Sequence, residues 1–507
     1  MTRSIPIAIL LQMLCITTPA ASQAVMQRLA VEGLERSQLK DLAQPLIDSI
    51  GPRLSGTSGQ AQANEWALSV YKRWGIPARA VKYGTWNNWQ RGTTHVDLIA
   101  PRIRSLEAML MTYSTGTNGA VEGPVILLPP VTDTAEFTAW LVKARGRFAL
   151  LSYAEPTCRS DANLKEAMSS TAFDQMQKER NEARAAWSAG RRKLGLSGRA
   201  LFERIESAGV LGVLVSLRDP RWPQGWGVSR LGTATAQTIP EIGLGCEDYG
   251  LIFRLAQKNQ NPVIRVDAQA KSLGEAPVSN ILAEMRGTEK PNEYVLLSAH
   301  IDSWDAASGA TDNGTGTVMM MEAMRILKAA YPKPKRTIIA GHWSGEEQGL
   351  NGSAAFAADH PEIVAGIQAV FNADAGTGRI DSISTQGFTL AGDFVQRWLS
   401  QVPEELADSM GVIAPGKPDG GSDEASFTCH AAPAFRLSSR SWEYQTYTWH
   451  TNRDTFDKIV FSDLKKNATL IAMLAYLASE DQARIPRDLK PTAQCNPAAR
   501  STSKEQN

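Results

Sequence analysis

The chain has 507 residues, enough for a large hydrophobic core and for two domains. Its hydrophobic fraction of 43% and charged fraction of 21% are those of a soluble globular protein. The formal net charge of +1 provides no basic field that would attract nucleic acid, so we expect no nucleic-acid partner.

The N-terminal segment has the features of a secretory signal peptide. Arg3 precedes an apolar run at residues 5–16, and the small residues that follow offer a cleavage site near Ser22 or Ala24. The run is shorter than the roughly 20 apolar residues that span a bilayer, and no later stretch reaches that length. We therefore expect residues 1–22 to be a signal peptide and the protein to be exported, periplasmic or extracellular, without a membrane span.

Four cysteines follow the signal segment, at spacings that form no CxxC zinc motif. They are Cys158, Cys246, Cys429 and Cys495. Export permits disulfide bonds, but the spacing leaves their connectivity open.

The region after the signal segment is predicted to be helical. Residues 25–50 read as helix, and a second helix at about 60–74 has apolar residues on one face. Between them stands Gly-Pro-Arg-Leu-Ser-Gly-Thr at residues 51–57. We assign residues 23–115 to the N-terminal part of the larger domain.

The pattern changes at about residue 116, where short apolar runs separated by Gly/Pro turns indicate β-strands. These runs are residues 124–128, 147–151 and 209–216. Residues 165–193 are rich in Glu, Arg, Gln and Ala, which is typical of a solvated helix. Residues 116–272 are therefore predicted to form an inserted β-rich domain.

Strands and helices alternate from residue 280 onward. The predicted strands are residues 294–300, 336–344, 369–374 and 433–438, and the predicted helices are 317–330, one near 353, and 462–478 with Ser462 as its N-cap. This alternation predicts an α/β fold with a mostly parallel central sheet flanked by helices, and an active site beyond the carboxyl ends of the strands. We assign residues 273–485 to this domain and 486–507 to a disordered tail.

Residues that can hold metal ions stand at the ends of the predicted strands. His300 and Asp302 follow the first strand, two residues apart and therefore on the same side. Asp312 lies in a glycine-rich turn before a helix, where a carboxylate could bridge two cations. Glu346 and Glu347 end the next strand, and two ionised acids side by side need a positive charge between them.

Two further residues complete the set. Asp374 ends an apolar strand, where burial of an unpaired charge is energetically unfavourable. His450 follows an aromatic loop. Singly, each of these residues has a structural explanation, because strand-end histidines and surface Glu-Glu pairs are common. Jointly, two histidines and three carboxylates, one of them shared, give two zinc ions nitrogen and oxygen ligands and leave room for water, which suits hydrolysis.

In these motifs the sequence resembles the co-catalytic di-zinc exopeptidases, a family that includes bacterial secreted aminopeptidases and plasma glutamate carboxypeptidase. The matching motifs are Ala299-His300-Ile-Asp302-Ser, Gly309-Ala-Thr-Asp312-Asn-Gly, Ser344-Gly-Glu346-Glu347-Gln-Gly-Leu-Asn-Gly-Ser353, Asn372-Ala-Asp374 and His450-Thr with Asp454-Thr455. The resemblance spans most of the mature chain. Residues 202–216 and 237–243 resemble the protease-associated domain that several family members carry as an insertion over the active-site cleft.

The resemblance implies a role for each ligand. Asp312 bridges two Zn²⁺ ions, His300 and Asp374 complete one zinc site, and Glu347 and His450 complete the other. A homodimer is compatible with the same resemblance, while the oligomeric state stays open.

The resemblance also implies a mechanism. Glu346 acts as the general base, taking a proton from a metal-bridging water and returning it to the leaving amine. Asp302 supports the metal site from behind His300. The implied activity is hydrolysis of terminal peptide bonds in small peptides or dipeptides, by aminopeptidase or dipeptidase action, with carboxyl-end recognition left open.

Two positions depart from the family pattern. Several relatives have an aromatic hydroxyl directly before the last histidine ligand, where this chain has Trp449, and Tyr447 or Tyr444 are candidates to replace it. Where the family often has Ser-Asp-His, this chain has Ser-Asp423-Glu424, in a loop expected to line the substrate pocket.

Three other functions fit the sequence less well. A glutaminyl cyclase shares the fold and much of the metal pattern, but the Gly-Glu-Glu run and the inserted domain favour a peptidase. A receptor or scaffold that has the peptidase fold without its activity is disfavoured, because every type of metal-ligating residue and the general base are present. A serine α/β-hydrolase is disfavoured because the sequence shows no GxSxG motif with His and Asp partners in a suitable order.

The identity of the metal is a separate question. Manganese or cobalt could serve in place of zinc in a site so rich in oxygen ligands.

Overall fold

The computed structural model describes residues 20–131, 133–216, 232–305, 307–408, 410–418 and 420–490. The helices are α1 (Ala20–Leu34), α2 (Leu39–Gln44), α3 (Ser58–Arg73), α4 (Thr134–Ala144), α5 (Asp161–Ala167), α6 (Ser170–Lys193), α7 (Gly198–Ser207), α8 (Cys246–Gln257), α9 (Thr315–Ala330), α10 (Asn351–Asp359), α11 (Pro361–Gly366), α12 (Ala391–Leu399), α13 (Glu404–Ala407), α14 (Glu424–Thr428) and α15 (Phe461–Glu480). The strands are β1 (Ala78–Ala100), β2 (Arg104–Ser105), β3 (Ala108–Leu110), β4 (Val121–Leu127), β5 (Phe148–Leu150), β6 (Gly212–Val215), β7 (Glu241–Leu244), β8 (Val263–Met285), β9 (Lys290–His300), β10 (Arg336–Trp343), β11 (Ile367–Ala373), β12 (Ile380–Ser384), β13 (Gly411–Ile413) and β14 (Ala434–Ser439).

A mixed, mainly parallel sheet forms the larger part of the molecule, as the sequence predicts. Its strands run in the order β13-β12-β14-β11-β9-β10-β8. The central strands β14, β11, β9 and β10 are mutually parallel, β8 is antiparallel to β10, and β12 is antiparallel to β14 but parallel to β13. Every residue of β10 and β11 is buried, as expected for strands covered on both faces.

Helices cover both faces of this sheet. On one face α9 and α15 pack together with α1 and α2 over the largest apolar cluster, which includes Met320 and Ile471. On the other face a smaller cluster contains Trp343 of β10, Phe356 of α10 and Phe427 of α14. The sheet is therefore rigid at its centre, where the candidate ligands stand at the strand ends.

A second group of strands lies between β1 and β8 in the sequence. Strands β4, β5, β6 and β7 are parallel, and β3 is antiparallel to β7. Two separate apolar clusters, one with Phe148 and one with Phe137, stabilise this region. The long strands β1 and β8 pair along most of their length and connect it to the larger sheet, and Cys158 forms a disulfide with Cys246 at the start of α8.

Two details differ from the sequence expectations. The last helix begins at Phe461, and its N-cap is Val460, with no side-chain cap, so the prediction of Ser462 as N-cap is wrong by two residues. Leu489, in the segment predicted to be a disordered tail, forms a bridge with Phe388, because the chain passes along residues 387–389.

Some expectations concern residues that the structure does not describe. Most of the predicted signal peptide, Cys495 and the tail from residue 491 lie outside the described residues. Among the helices that are described, none combines the length and apolar character needed to cross a membrane.

Candidate metal centre

Three neighbouring parallel strands place ligand residues at one edge of the sheet. His300 is the last residue of β9, Asp374 directly follows β11, and Glu346 and Glu347 follow β10 after a short turn. Because β9 lies between β10 and β11, the carboxyl ends of the three strands meet at the same point. The order of the strands in the sheet thus brings these side chains together.

Asp312 reaches the same point from an irregular turn, Ala310–Gly314, that precedes α9. The turn requires glycine at Gly309, which has a positive φ of 57°. A Cβ added there would lie 2.3 Å from the side chain of Ser303 and 2.9 Å from the carbonyl oxygen of Asp312. The glycine-rich character of this motif therefore has a steric cause.

The side chains form two groups that share Asp312. In the first group, His300 Nε2 lies 3.4 Å from Asp312 Oδ1 and 3.3 Å from Asp374 Oδ1. In the second, His450 Nε2 lies 3.2 Å from Asp312 Oδ2 and 3.0 Å from Glu347 Oε2. Each group offers one nitrogen and two oxygen atoms within 4.8 Å of one another, which is the spacing of ligands around a metal ion.

The donor set fits divalent cations on chemical grounds. Asp312 Oδ2 and Glu347 Oε1 are buried and accept no hydrogen bond from the described residues. Burial and the charge of Asp312 raise the pKa of Glu347 to about 7. Burial opposes protonation of His450, but Glu347 and Asp312 outweigh it and raise the pKa of this imidazole to about 9. Carboxylates crowded in this way need positive charge, which two metal ions would provide.

Glu346 stands beside this cluster without belonging to either group. Its Oε2 lies 4.0 Å from His300 Nε2, and 11% of its side chain remains exposed. Burial raises its pKa well above the ordinary value, and the negative charges of Asp374 and Asp423 add to that effect. A carboxylate that can hold a proton next to the ligands has the properties of a general base.

Asp302 lies next to the Nδ1 side of the His300 ring. The carbonyl oxygen of Asp302 is 3.1 Å from His300 Nδ1, and one carboxylate oxygen is 3.6 Å from the same nitrogen. Its carboxylate also accepts from Ser55 Oγ and from the backbone N–H groups of Glu346 and Glu347. One acid thus orients a ligand and holds the turn that carries the candidate base.

The four residues predicted to contact substrate occupy different environments. Trp449 stacks on the His450 ring at a centroid distance of 3.9 Å, and Tyr447 is partly exposed beneath Lys458 Nζ. Asp423 is completely buried next to the cluster. Glu424 is also completely buried, and its carboxylate is engaged by Arg436 Nε at 2.9 Å and by Asn372 Nδ2 at 2.7 Å. Glu424 therefore faces a partly buried arginine and does not line the cavity.

Two functional residues receive no role from the sequence. Asp454 accepts from the backbone N–H groups of Thr311 and Asp312 at 2.7 and 2.9 Å and so holds the bridging turn. Arg53 is completely buried, and its guanidinium donates to carbonyls on both sides of the site loop. The motifs contain both residues, but only the tertiary contacts identify their partners.

A small cavity opens in front of the second group. His450 lines the cavity, which has room for about one water molecule. Asp305, next in sequence to a lining residue, accepts from Thr112 Oγ1 at 2.6 Å and from Arg91 Nε at 2.8 Å. Glu107 accepts hydrogen bonds from side chains of the loop that follows His450.

Comparison with known proteins agrees with this geometry. Residues 280–475 match the model of peptidase family M28. Carboxypeptidase Q of Rattus norvegicus is 24% identical over 462 residues, covering 90% of this chain and 89% of that protein. Carboxypeptidase Q of Homo sapiens is 23% identical over 466 residues with the same shares covered.

Two solved structures share the fold. A peptidase M28 precursor from Shewanella amazonensis SB2B superposes with a TM-score of 0.68 at 22% identity, covering 93% of this chain and 99% of that one. The zinc aminopeptidase BSAP from Bacillus subtilis superposes with a TM-score of 0.55 at 17% identity, covering 92% and 97%.

The strand-end ligand groups with an adjacent free carboxylate, on this α/β sheet, define a hydrolase of the metallo-exopeptidase class. Its catalytic region carries the family signature over residues 280–475. Over that region the chain is similar to peptidase family M28.

Proposed function

We propose that the protein is an exported exopeptidase that holds two zinc ions and releases terminal residues from dipeptides and other small peptides. The observation that carries this proposal is the pair of ligand groups sharing Asp312, with Glu346 beside them and in neither. His300 and Asp374 would hold one ion, and Glu347 and His450 the other. The zinc aminopeptidase from Bacillus subtilis, which shares the fold, supports zinc as the metal.

In this proposal each residue of the site has its own chemical role. Zinc held by these two groups would polarise the scissile carbonyl and lower the pKa of a water molecule. Glu346 accepts a proton from the attacking water on its carboxylate and delivers that proton to the leaving amine. The negative neighbours that raise the pKa of Glu346 favour its holding the proton between these two transfers. Asp302 keeps His300 and the Glu346 turn in place throughout.

The enclosure of the centre supports action on small substrates. The exposed fractions of the Asp374 and His450 side chains are 12% and 22%, and the cavity beside them has room for about one water molecule. A folded protein chain cannot approach such a site, whereas a short peptide needs only local opening. We further propose that residues 116–272 form a protease-associated-like domain over this opening, and that residues 1–22 direct export.

A peptide panel tests the proposed function. The purified protein is incubated with free dipeptides, with N-acetylated dipeptides and with C-terminally amidated dipeptides, and released amino acids are quantified. The measurement is repeated after chelation and after return of zinc, with metal content determined in parallel. We expect cleavage that requires a free terminus, disappears with chelation and returns with about two zinc ions per chain.

The panel also separates the alternative functions. Peptides with an N-terminal glutamine that lose ammonia without releasing an amino acid would indicate cyclisation. Metal binding without turnover of any peptide would indicate a binding protein on a peptidase fold. The blocked substrates show which terminus is recognised.

A further inference from the structure

Arg53 is a fully buried arginine that lies below the metal centre, in the segment at residues 51–57. Its side chain donates four hydrogen bonds, and each of them ends on a backbone carbonyl. These are Nε to Ile301 O at 2.7 Å, Nη1 to Gly51 O at 2.8 Å and to Ser308 O at 2.7 Å, and Nη2 to Gly309 O at 2.8 Å. Such a set of bonds binds a loop and leaves the nearby carboxylates free for other partners.

Three of the four carbonyls lie at the two ends of one loop, and the fourth, that of Gly51, belongs to the segment of Arg53 itself. Ile301 directly follows the ligand His300, and Gly309 stands three residues before the ligand Asp312. The backbone of Arg53 adds two bonds near the loop's start, because its N–H donates to Ser303 Oγ at 3.1 Å and its carbonyl accepts from Ser303 N at 3.3 Å. One side chain therefore fixes the distance between two ligands that the loop connects.

The chemistry of arginine suits this task. A guanidinium is planar and presents five N–H donors in a fixed fork, so it can hold carbonyls in several directions at once. Burial lowers the pKa of Arg53 to about 10, an effect that the carboxylates of Asp454 and Asp302 oppose. The group is therefore still a cation at neutral pH. A lysine ammonium keeps the charge but is a compact donor on a flexible stem and cannot reach both ends of the loop.

We propose that Arg53 is a positioning residue: by bonding to Ile301, Ser308 and Gly309 it sets the spacing of His300 and Asp312 and thereby the affinity of the centre for its metal ions. The inference rests on the proposed function only in taking the two ligand groups to be a metal centre. Arg53 touches neither substrate nor metal in this scheme and acts through the loop alone.

Metal titration of Arg53→Lys tests the inference. Wild-type and variant protein are freed of metal by chelation and dialysis and titrated with Co²⁺, whose visible absorption reports ligand geometry, and with Zn²⁺ by calorimetry. We expect the variant to bind metal about 10–100-fold more weakly, the range found when supporting partners of ligands are removed. We also expect a changed Co²⁺ spectrum and a higher zinc concentration for half-maximal peptidase activity.

Arg336 provides a matched control for the general cost of altering a buried arginine. It is also fully buried, and its Nη1 donates to the carbonyls of Ala478 and Ser479 at 3.2 and 3.0 Å. It begins β10, at the end of that strand opposite to the ligands. Arg336→Lys should lower the melting temperature to a similar extent as Arg53→Lys and leave metal affinity and the Co²⁺ spectrum unchanged.

The outcomes separate this inference from the proposed function. If Arg53→Lys binds metal as tightly as wild type, or if Arg336→Lys weakens binding equally, the positioning role is overturned while the metal centre stands. If the wild-type protein itself binds no metal, the proposed function fails first. Should Arg53→Lys not fold, Ser303→Ala removes one bond of the same loop contact and is expected to weaken metal binding in the same direction, and unaltered binding in that variant also overturns the role.

Discussion

Glu346 and Glu347 are neighbours in the sequence with different surroundings, and their substitutions should separate catalysis from metal binding. Glu347 Oε2 lies in a ligand group, whereas Glu346 belongs to neither. Glu346→Gln keeps the size of the side chain and removes its ability to take a proton, so we expect kcat to fall by about 10²–10⁴-fold with metal content unchanged. Steady-state kinetics and metal analysis on the same preparation measure both quantities.

Glu347→Gln is the matched control for that prediction. It should reduce the metal content, because a neutral amide is a poor replacement for a carboxylate ligand. A Glu346→Gln variant that turns over at nearly the wild-type rate would rule out Glu346 as the base. A variant that loses metal would instead place Glu346 among the ligands.

His300, Glu347 and Asp374 can be predicted to lie together because each follows a strand end, and parallel strands align those ends. Asp312 comes from a glycine-rich turn, and the folded chain brings it to His300 and Asp374. The sequence places Glu424 in a loop expected to line the substrate pocket, but its partner Arg436 lies on β14, and no local pattern reveals that pairing. The role of Arg53 is hidden for the same reason, since its partners are backbone carbonyls distant in the chain, with a separation of 248 residues for Ile301.

At the scale of elements, the contact between the smaller sheet region and the loop after His450 is open to test. Glu107 accepts from Arg453 Nη2 at 2.8 and 2.9 Å and from Asn452 Nδ2 at 2.9 Å. Glu107→Gln removes the charge of this pair. A partly exposed ion pair contributes up to about 1 kcal/mol of interaction free energy. That energy corresponds to at most a roughly fivefold fall in kcat/KM if the contact holds the His450 loop in its productive position.

A remote pair in the same region controls for the loss of a carboxylate. Glu122 lies 3.9 Å from Arg265, and both side chains are more than half exposed, at 57% and 53%. Glu122→Gln should leave kcat/KM unchanged when assayed beside Glu107→Gln. Equal kinetics for the wild type and both variants would show that the smaller sheet region does not influence the loop.

Glu241, on β7 of the smaller sheet, gives a pH-dependent prediction. Burial raises its pKa above the ordinary value of 4.5, against the lowering effect of two backbone N–H donors. A carboxyl group with a raised pKa in the folded state stabilises the fold fully below its unfolded pKa, and that stabilisation is lost as the pH rises through the folded pKa. We therefore expect Glu241→Gln, which stays neutral, to melt at a higher temperature than wild type at pH 8.

The same comparison at pH 4 provides the internal control. Both proteins carry a neutral group at residue 241 there, so their melting temperatures should converge. Thermal melts across this pH range measure the difference. A gap that is constant with pH would attribute the effect to packing and not to ionisation.

The strands at the centre of the larger sheet are easier to predict from the sequence than the long antiparallel pair of β1 and β8. Strands β9, β10 and β11 are continuous apolar runs, and their predicted bounds differ from the observed ones by a few residues. Strand β1 is mostly polar and alternates between partial and full exposure, so it lacks the pattern of a buried strand. Its partner β8 is distant in sequence, and pairing over such a separation leaves no local signal.

At the scale of the whole molecule, metal ions should contribute to stability as well as to catalysis. The larger domain buries several acids at one edge of its sheet, among them Asp312 at 4% and Asp302 at 0% exposure. Without cations these carboxylates repel each other or take up protons, and either response costs folding free energy. Ions that bind only the folded state reverse this cost by mass action, with a gain of about 4 kcal/mol at a thousandfold excess over the dissociation constant.

Chelation should therefore lower the melting temperature of the protein, and return of zinc should restore it. Because the two sheet regions have separate apolar clusters, differential scanning calorimetry can show whether one transition or two respond. We expect the melting temperature to shift for the transition of the larger sheet region, which holds every residue of the two ligand groups. Asp312→Asn, which removes the shared ligand charge, should respond to zinc much less than wild type does. An identical melting curve with and without metal would mean that protons or the protein's own cations already compensate these acids, and the two-ion centre would have to be abandoned.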